Sequence, residues 1–262
     1  MKILRIYLAL NFKRSIEYRE NLILGIIGLI AVNFGSLFVL YSITNRFQTI
    51  AGWNFAEITF NYSLFLACLG LHKIFFRNII NLEDYIIDGS FDRFLLRPLN
   101  IFCQLCLEWV NYCDFSDFAL GITGIAISLT QSELSLSFDK YIWLALLIIN
   151  GAFVFTIILA IISSGCFWLY KSYPILYSTM EIQEIVQNYP ISIFKAPFRF
   201  IVTYIIPYAA INYYPSLIVL DRKMSCSGFY VVIYLVILDI ILFIAFRAIW
   251  HTGIKNYKSS GT

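Results

Sequence analysis

Three aspartates in this chain stand where a carboxylate could carry a proton or a cation. Asp239 interrupts the otherwise uncharged residues 225–245, and a carboxylate at the centre of a bilayer is costly unless it is paired, hydrated or protonated. Asp114 and Asp117 are three residues apart, so on a helix they share one face. A proton or cation path and structural pairing between helices are both consistent with these residues.

A second acidic pair, Glu181 and Glu184, repeats the spacing of Asp114 and Asp117. For both pairs we favour pairing between helices or placement at a membrane boundary over ion chemistry. For Asp239 the two interpretations remain open. The chain has no H-E-x-x-H, G-x-S-x-G or G-x-x-x-x-G-K-[ST] pattern. We therefore predict no catalytic residue and no nucleotide hydrolysis of the P-loop kind on this polypeptide.

The cysteines offer one further pattern, the C-x-x-C of Cys103 and Cys106 with Cys113 nearby. A metal or redox site of this type needs polar access and additional ligands. These cysteines lie within or beside apolar stretches, where cysteine commonly acts as a small buried hydrophobe. We adopt this interpretation and predict no metal site.

The elements that hold these residues are long apolar runs. Residues 21–45 and 141–170, of 25 and 30 residues, contain no Asp, Glu, Lys, Arg or His. About 20 apolar residues cross a bilayer as a helix. The chain is 60% hydrophobic and 13% charged, against about 25% charged in soluble domains. The composition therefore predicts an all-α, multi-pass membrane protein and excludes a separate soluble catalytic domain.

We predict one transmembrane domain with six spans. They cover residues 22–42, 55–76, 108–131, 141–162, 164–188 and 228–247. Residues 1–20 are predicted to form an amphipathic helix in the membrane interface. The apolar face of this helix consists of Ile3, Ile6, Tyr7 and Leu10. Its cationic residues are Lys2, Arg5, Lys13 and Arg14.

The distribution of positive charge predicts the orientation. Short loops rich in Lys and Arg face the cytoplasm. The N-terminal tail, the loop after the second span and the C-terminal tail hold most of these residues. Both termini are therefore expected in the cytoplasm, with the protein in the cell membrane. Lys and Arg are scattered over the loops, so no nucleic-acid-binding face is predicted.

The loop after the second span, residues 77–100, mixes charged and apolar side chains. We expect one or two short amphipathic helices, split at Gly89 and stopped at Pro98. The charged positions are Glu83, Asp84, Asp88, Asp92, Arg93 and Arg97. Such a loop could be a solvated connection, but its mixed character favours a docking surface for a soluble partner.

Proline clusters in the last third of the chain. The cluster consists of Pro174, Pro190, Pro197, Pro207 and Pro215. Because proline disfavours an uninterrupted helix, we expect residues 190–220 to form a bent pair of short helices that dip into the outer leaflet. The alternative makes 200–220 the fifth span and leaves 171–199 inside. Both assignments keep six crossings.

Two stretches resemble the permeases of type-2 ATP-binding-cassette (ABC) exporters. Residues 88–99, DGSFDRFLLRPL, are similar to the G-x-[aliphatic or Phe]-D-x-x-L-x-R-P-L loop that follows the second span of that family. The segments YPISIF, IIPY and INYYP between 189 and 215 resemble the segment before the family's last span. The resemblance covers nearly the whole chain, with one departure at Lys195, where a small or apolar residue is expected.

The resemblance implies a half-transporter. Two permeases, identical or paralogous, would surround a translocation path, and separate ATPase subunits beneath them would bind ATP and Mg. The coupling helix of the family maps to residues 81–96 and the external re-entrant helices to 190–220. On this basis Glu83, Asp84, Asp92 and Arg93 are expected to contact the ATPase. A final group should complete the coupling loop and set its shape: Asp88, Gly89, Arg97 and Pro98.

Other functions remain possible at this stage. A secondary transporter or ion channel could use Asp239 and the acidic pairs. A membrane-embedded enzyme or a subunit that only anchors a soluble partner are further alternatives. The aromatic-rich, weakly charged composition suits a hydrophobic or amphipathic cargo for export, such as a lipid, a drug or a peptide, without distinguishing among them.

Overall fold

The computed structural model describes residues 19–132, 137–169, 171–222 and 228–258, and the regular structure within these ranges is helical. In chain order the α-helices are α1 (Arg19–Phe47), α2 (Phe55–Phe76), α3 (Leu82–Ile87), α4 (Asp92–Leu95), α5 (Ile101–Glu108), α6 (Phe115–Gln131), α7 (Phe138–Ser163), α8 (Tyr173–Asn188), α9 (Ala196–Phe200), α10 (Tyr213–Val219) and α11 (Gly228–Asn256). Short 3₁₀ and π turns link several of them.

Five helical segments among the described residues are long and apolar enough to cross a membrane. They are Arg19–Phe47, Phe55–Ile87, Tyr112–Gln131, Phe138–Phe167 and Gly228–Asn256. These segments correspond to five of the six predicted spans. The predicted interfacial helix over residues 1–20 lies outside the described residues, except for Arg19 and Glu20, which begin α1.

The fifth predicted span, residues 164–188, is not one helix. A 3₁₀ turn at Ser164–Phe167 follows α7, and regular helix resumes only at Tyr173, with Pro174 in its first turn, where proline is tolerated. The resulting α8 has 16 residues and a length of about 24 Å. Helix α8 thus begins nine residues after the start of the predicted span, because the apolar run continues through the break.

Helix α2 is the most buried of the long helices. Over an apolar stretch of 18 residues, 67% of the residues are buried in the span that contains α2, against 6% in α1 and 17% in α11. Glycines let α6 approach it closely: a Cβ on Gly70 would overlap the backbone of Phe118, and one on Gly121 would overlap that of Ala67. Close backbone approach through small residues is how helices associate in lipid.

Contacts between helices define two ends of the bundle. We call the end where α2 finishes and residues 77–100 follow the loop end, and the end where α2 begins the far end. At the far end Tyr41 of α1 packs on Phe55, and Arg222, just before α11, pairs with Glu57. At the loop end Phe167, after α7, packs on Trp250 of α11. Helices α7 and α11 therefore run parallel to α2, whereas α1 and α6 run antiparallel to it.

Helix α8 also runs antiparallel to α2. Its first residue bonds to Glu83 at the loop end. Near its other end, Nδ2 of Asn212 donates to the carbonyls of both Val186 and Asn61, at 3.1 and 3.5 Å. Because Asn61 belongs to the second turn of α2, α8 spans most of the distance between the two ends.

Residues 190–220 leave the far end and return to it. Their inner part reaches Cys68 of α2, whose Sγ lies 3.9 Å from the carbonyl of Ile211. The segment is a chain of short helices rather than one rod, with a break at Ile206 and Pro207. Residues 200–220, which the alternative made one span, are therefore not one continuous helix.

The prolines explain how the segment is broken. Each precedes a short helical turn or stands in its first turn, where its missing N–H costs no hydrogen bond. The four positions and their turns are Pro190 before Ile191–Ile193, Pro197 in α9, Pro207 before Tyr208–Ala210, and Pro215 in α10.

Candidate functional site

The loop of residues 77–100 is a compact unit with its turn where the sequence predicts it. Helix α3 ends at Ile87, Asp88 caps it, and Gly89 adopts a φ of +69°. This left-handed conformation is favourable for glycine, which lacks a Cβ. Helix α4 follows and ends before Pro98. The chain thus reverses direction at Gly89 and brings α4 back beside α3.

Buried aromatic rings attach this loop to two long helices. Phe91 is fully buried, and its ring centroid lies 4.9 Å from Tyr257 beyond α11 and 5.6 Å from Phe167 beyond α7. Phe94, also fully buried, packs edge-on against Tyr85 within the loop. Phe91 therefore connects the loop to the ends of α7 and α11.

Two amide side chains fasten α5 to the loop, and neither was predicted as a site residue. Gln104 donates through Nε2 to the carbonyls of Phe94 and Leu99, at 3.2 and 3.0 Å. Asn78 donates through Nδ2 to the carbonyl of Leu105 at 2.7 Å. Both amides are buried, and a buried amide needs partners. Gln104 stands among apolar residues, which was the available sequence signal, whereas Asn78 follows Arg77 and gave no such signal.

Glu83 joins the loop to α8. Its side chain is 3% exposed, and Oε2 accepts hydrogen bonds from the backbone N–H of Ser172 at 2.6 Å, from the Ser172 hydroxyl at 2.7 Å and from the N–H of Tyr173 at 2.8 Å. The positive end of the α8 dipole also stabilises a carboxylate at this position. Glu83 therefore faces inward, and this geometry does not offer the predicted direct contact with another chain.

Two further charged residues of the loop, Arg93 and Asp84, are exposed and are bonded to other parts of this chain. Arg93 pairs with Glu108 at 3.0 Å and stacks on the rings of Tyr85 and Phe94, at 5.5 and 5.1 Å. Asp84 is exposed and accepts a hydrogen bond from the Tyr173 hydroxyl at 2.6 Å.

The outer side of the loop carries apolar side chains. Leu96 is 85% exposed, more than any other large apolar residue described here. We call its neighbourhood the loop surface, which consists of Ile87, Asp88, Leu95, Leu96, Arg97, Pro98 and Leu99, all exposed. Asp92 is partly buried beside it.

Asp114 and Asp117 are both paired with cations from α2 and the turn after it. Asp114 accepts from Arg77 at 2.5 Å, and Asp117 accepts from Lys73 at 2.8 Å. Asn33 of α1 adds a hydrogen bond to the second oxygen of Asp117 at 3.2 Å. Both carboxylates are almost completely buried. This is the structural pairing between helices that the sequence left as one of two interpretations.

Asp239 also has a partner on a neighbouring helix. Nδ2 of Asn150 on α7 donates to its Oδ2 at 2.5 Å. This carboxylate is therefore directed at a neighbouring helix of the bundle. The contact joins α7 to α11 at the level of their middle turns.

The acidic pair of α8 differs from the others. Glu181 and Glu184 are exposed, on the same side of the helix as Ser178. Among the described residues, no Lys, Arg or His lies within ion-pair distance of either carboxylate. One side of α8 is thus polar and open.

The two cysteines of the C-x-x-C pattern differ in exposure. Cys106 is buried in α5, and burial raises the pKa of its thiol, which disfavours the thiolate. Cys103 is exposed. Across the described ranges, no three His, Cys, Asp or Glu side chains gather as a metal site would require.

A bundle of five long apolar helices among the described residues is the architecture of a multi-pass membrane protein. A family model described as "ABC-2 family transporter protein" matches residues 30–261, and the chain belongs to this family. Neither a curated protein nor a solved structure matches the chain. The family consists of membrane subunits of transporters, so the chain is a transport protein.

Proposed function

We propose that this chain is the permease subunit of an ABC exporter. It pairs with a second permease, identical or paralogous, to form a path for a hydrophobic or amphipathic substrate. Separate ATPase subunits bind ATP and Mg and supply the energy. The observation that carries this proposal is the family match together with an internally anchored loop whose outer side is apolar.

The loop surface is the docking site for the ATPase. An exposed leucine such as Leu96 is costly in water, and the core of a protein interface is apolar with a polar rim. Leu95 and Leu99 extend the apolar area, while Asp88 and Arg97 supply the rim. Residues 95–99 lie beyond the candidate span that ends at Ile87, on the side of the bundle where a soluble partner can approach.

Glu83 transmits movement of the loop to α8. A partner can drive a conformational change only if it binds one state more strongly than another. The three hydrogen bonds to Glu83 make the first turn of α8 follow the loop, and Phe91 links the loop to α7 and α11. ATPase closure would therefore reach the membrane helices through side chains that are already engaged.

Helix α8 is the sixth crossing and lines the path. Its exposed Glu181 and Glu184 cannot face hydrocarbon without a large penalty, so water or a second permease must cover them. The antiparallel course of α8 along α2 supports a crossing. With six crossings both termini lie in the cytoplasm, and residues 190–220, which leave and re-enter the far end, form an external re-entrant segment.

A secondary transporter is less well supported. Such a protein would need carboxylates available to an ion. Asp114 and Asp117 are instead held by cations, and Asp239 accepts a hydrogen bond from Asn150. Of the acids that this alternative would use, only Glu181 and Glu184 are open.

A matched pair of substitutions tests the docking site. Leu96→Asp and Phe138→Asp each place a charge at a strongly exposed apolar position, the first in the loop and the second at the far end. With the cognate ATPase subunit co-expressed, Leu96→Asp is expected to abolish co-purification of the ATPase and ATP-driven transport. Phe138→Asp should retain both. Recovery of an intact complex with Leu96→Asp would contradict the proposed docking site.

A further inference from the structure

A half-enclosed cavity of about 1190 Å³ lies between α2, α5, α7 and α11. Pockets for small ligands are usually about 300–1,000 Å³, so this one could hold more than a compact metabolite. Its wall is mainly apolar and aromatic. The residues that matter for the argument are Phe75, Phe102, Ile149, Phe153, Phe243 and Trp250.

Two basic side chains stand on one side of this cavity. Arg247 and His251 are four residues apart on α11, so they share one helical face, and both line the cavity. Among the described residues, no carboxylate lies within ion-pair distance of Arg247. Lys73 and Arg77, at the same end of the bundle, are paired with aspartates. Arg247 is therefore a cation without an internal anion, beside an apolar cavity.

The depth of Arg247 fits the surface of a bilayer. It lies 19 residues after Gly228, the first residue of α11, which is about 28 Å along the helix. The hydrocarbon core is about 30 Å thick. If α11 enters the core near Gly228, Arg247 reaches the opposite headgroup region. Phe153 and Phe243, which stack at a centroid distance of 6.4 Å, lie on the hydrocarbon side of it.

We propose that this cavity binds an anionic phospholipid from the leaflet at the loop end. The phosphate contacts Arg247 and His251, and the acyl chains lie against Phe153 and Phe243. Basic pockets between membrane helices at the cytoplasmic side are suited to anionic headgroups. A soluble anion would leave the apolar wall uncovered, and a zwitterionic lipid would make less use of the cation.

The bound lipid would also act on the loop. Phe102 of α5 forms part of the cavity wall and packs edge-on against Trp250 at 5.5 Å. Two residues further on, Gln104 holds the loop through the carbonyls of Phe94 and Leu99. A lipid that fills the cavity therefore stabilises α5 in the position that supports the loop surface.

Lipid retention tests the proposal directly. Purified protein is equilibrated with equal amounts of phosphatidylglycerol and phosphatidylcholine, and bound lipid is counted by native mass spectrometry. We expect a roughly fivefold preference for phosphatidylglycerol in the unaltered chain. Arg247→Gln should lose this preference. Lys255→Gln is the matched control, because Lys255 is an exposed cation on the same helix outside the cavity.

Cys103 provides a second readout, since it lines the cavity and is exposed. In a Cys226→Ser background, its maleimide labelling should be slower in phosphatidylglycerol nanodiscs than in phosphatidylcholine nanodiscs. Arg247→Gln should remove this difference. Ala248→Trp, which narrows the cavity beside Arg247 and keeps the charge, should reduce retention of both lipids.

Three results would overturn the proposal: equal binding of the two lipids by the unaltered chain, an unchanged preference in Arg247→Gln, or full lipid retention in Ala248→Trp. Size-exclusion chromatography shows whether each variant remains monodisperse. These readouts measure lipid binding and require no ATPase. They can therefore fail or succeed independently of the proposed transport function.

Discussion

The two ends of the bundle use charge in different ways. At the loop end, the side chains of Asp114 and Asp117 are 0% and 2% exposed, and Glu83 is 3% exposed. At the far end, Glu57 is 19% and Asp221 is 67% exposed, although Arg222 and Lys140 pair with them. The buried acids at the loop end depend on fixed partners within the protein. The more exposed acids at the far end can also be hydrated by water.

This difference predicts unequal consequences of mutation. Removing one partner of a buried ion pair leaves an uncompensated charge, at a cost of about 3–5 kcal/mol. An exposed pair contributes about 0–1 kcal/mol. The loop end should therefore be rigid and sensitive to substitution, and the far end tolerant. The three predictions below run from the largest expected effect to the smallest.

Arg77→Met should have the largest effect, since it leaves the Asp114 carboxylate buried without its cation. We expect a loss of about 3 kcal/mol in the free energy of unfolding, measured by SDS titration of the purified protein. Arg46→Met is the control, because Arg46 is exposed near the end of α1 and has no carboxylate partner among the described residues. Equal losses in the two variants would remove the distinction between the ends.

Glu83→Ala should have an intermediate effect. It removes the acceptor of two backbone N–H groups at the start of α8, and we expect a loss of about 2 kcal/mol. Hydrogen exchange of the Ser172 and Tyr173 amides should accelerate. Asp84→Ala, which removes only an exposed bond to the Tyr173 hydroxyl, should leave these amides protected. Unchanged exchange in Glu83→Ala would show that this carboxylate does not hold α8.

Arg222→Gln should have the smallest effect. Arg222 bonds to Glu57 and to the carbonyl of Gly52, and it lies over the ring of Trp53, but the ion pair is partly solvated. We expect a loss of at most about 1 kcal/mol at low salt, and less at high salt because exposed pairs are screened. A salt-independent loss as large as that of Arg77→Met would mean that the far end is as rigid as the loop end.

Local features of the fold could be predicted from the sequence because local chemistry determines them. The apolar runs predicted five of the spans, and Gly89 and Pro98 predicted the turn and end of the loop. The break before α8 was missed, because hydropathy does not register a helix end inside an uncharged run that continues to Tyr170. Only Pro174 in the first turn of α8 hinted at the new start.

The candidate site was less predictable because its contacts join distant parts of the chain. The partner of Glu83 lies 89 residues away, and nothing local indicates that this acid faces inward. The ion pairs of Asp114 and Asp117 could have been predicted from the sequence. Lys73 and Arg77 are four apart and Asp114 and Asp117 three apart, so two antiparallel helices could align both pairs. Asn150, the partner of Asp239, had no sequence signal.

The glycine contacts between α2 and α6 have a mechanical consequence. At Gly70 and Gly121 the two backbones touch, with no side chain between them that could change rotamer. Sliding one helix along the other would drive Cβ atoms into main-chain atoms. A transport cycle that preserves this contact must move α2 and α6 as one rigid pair, with less buried helices such as α1 changing position relative to it.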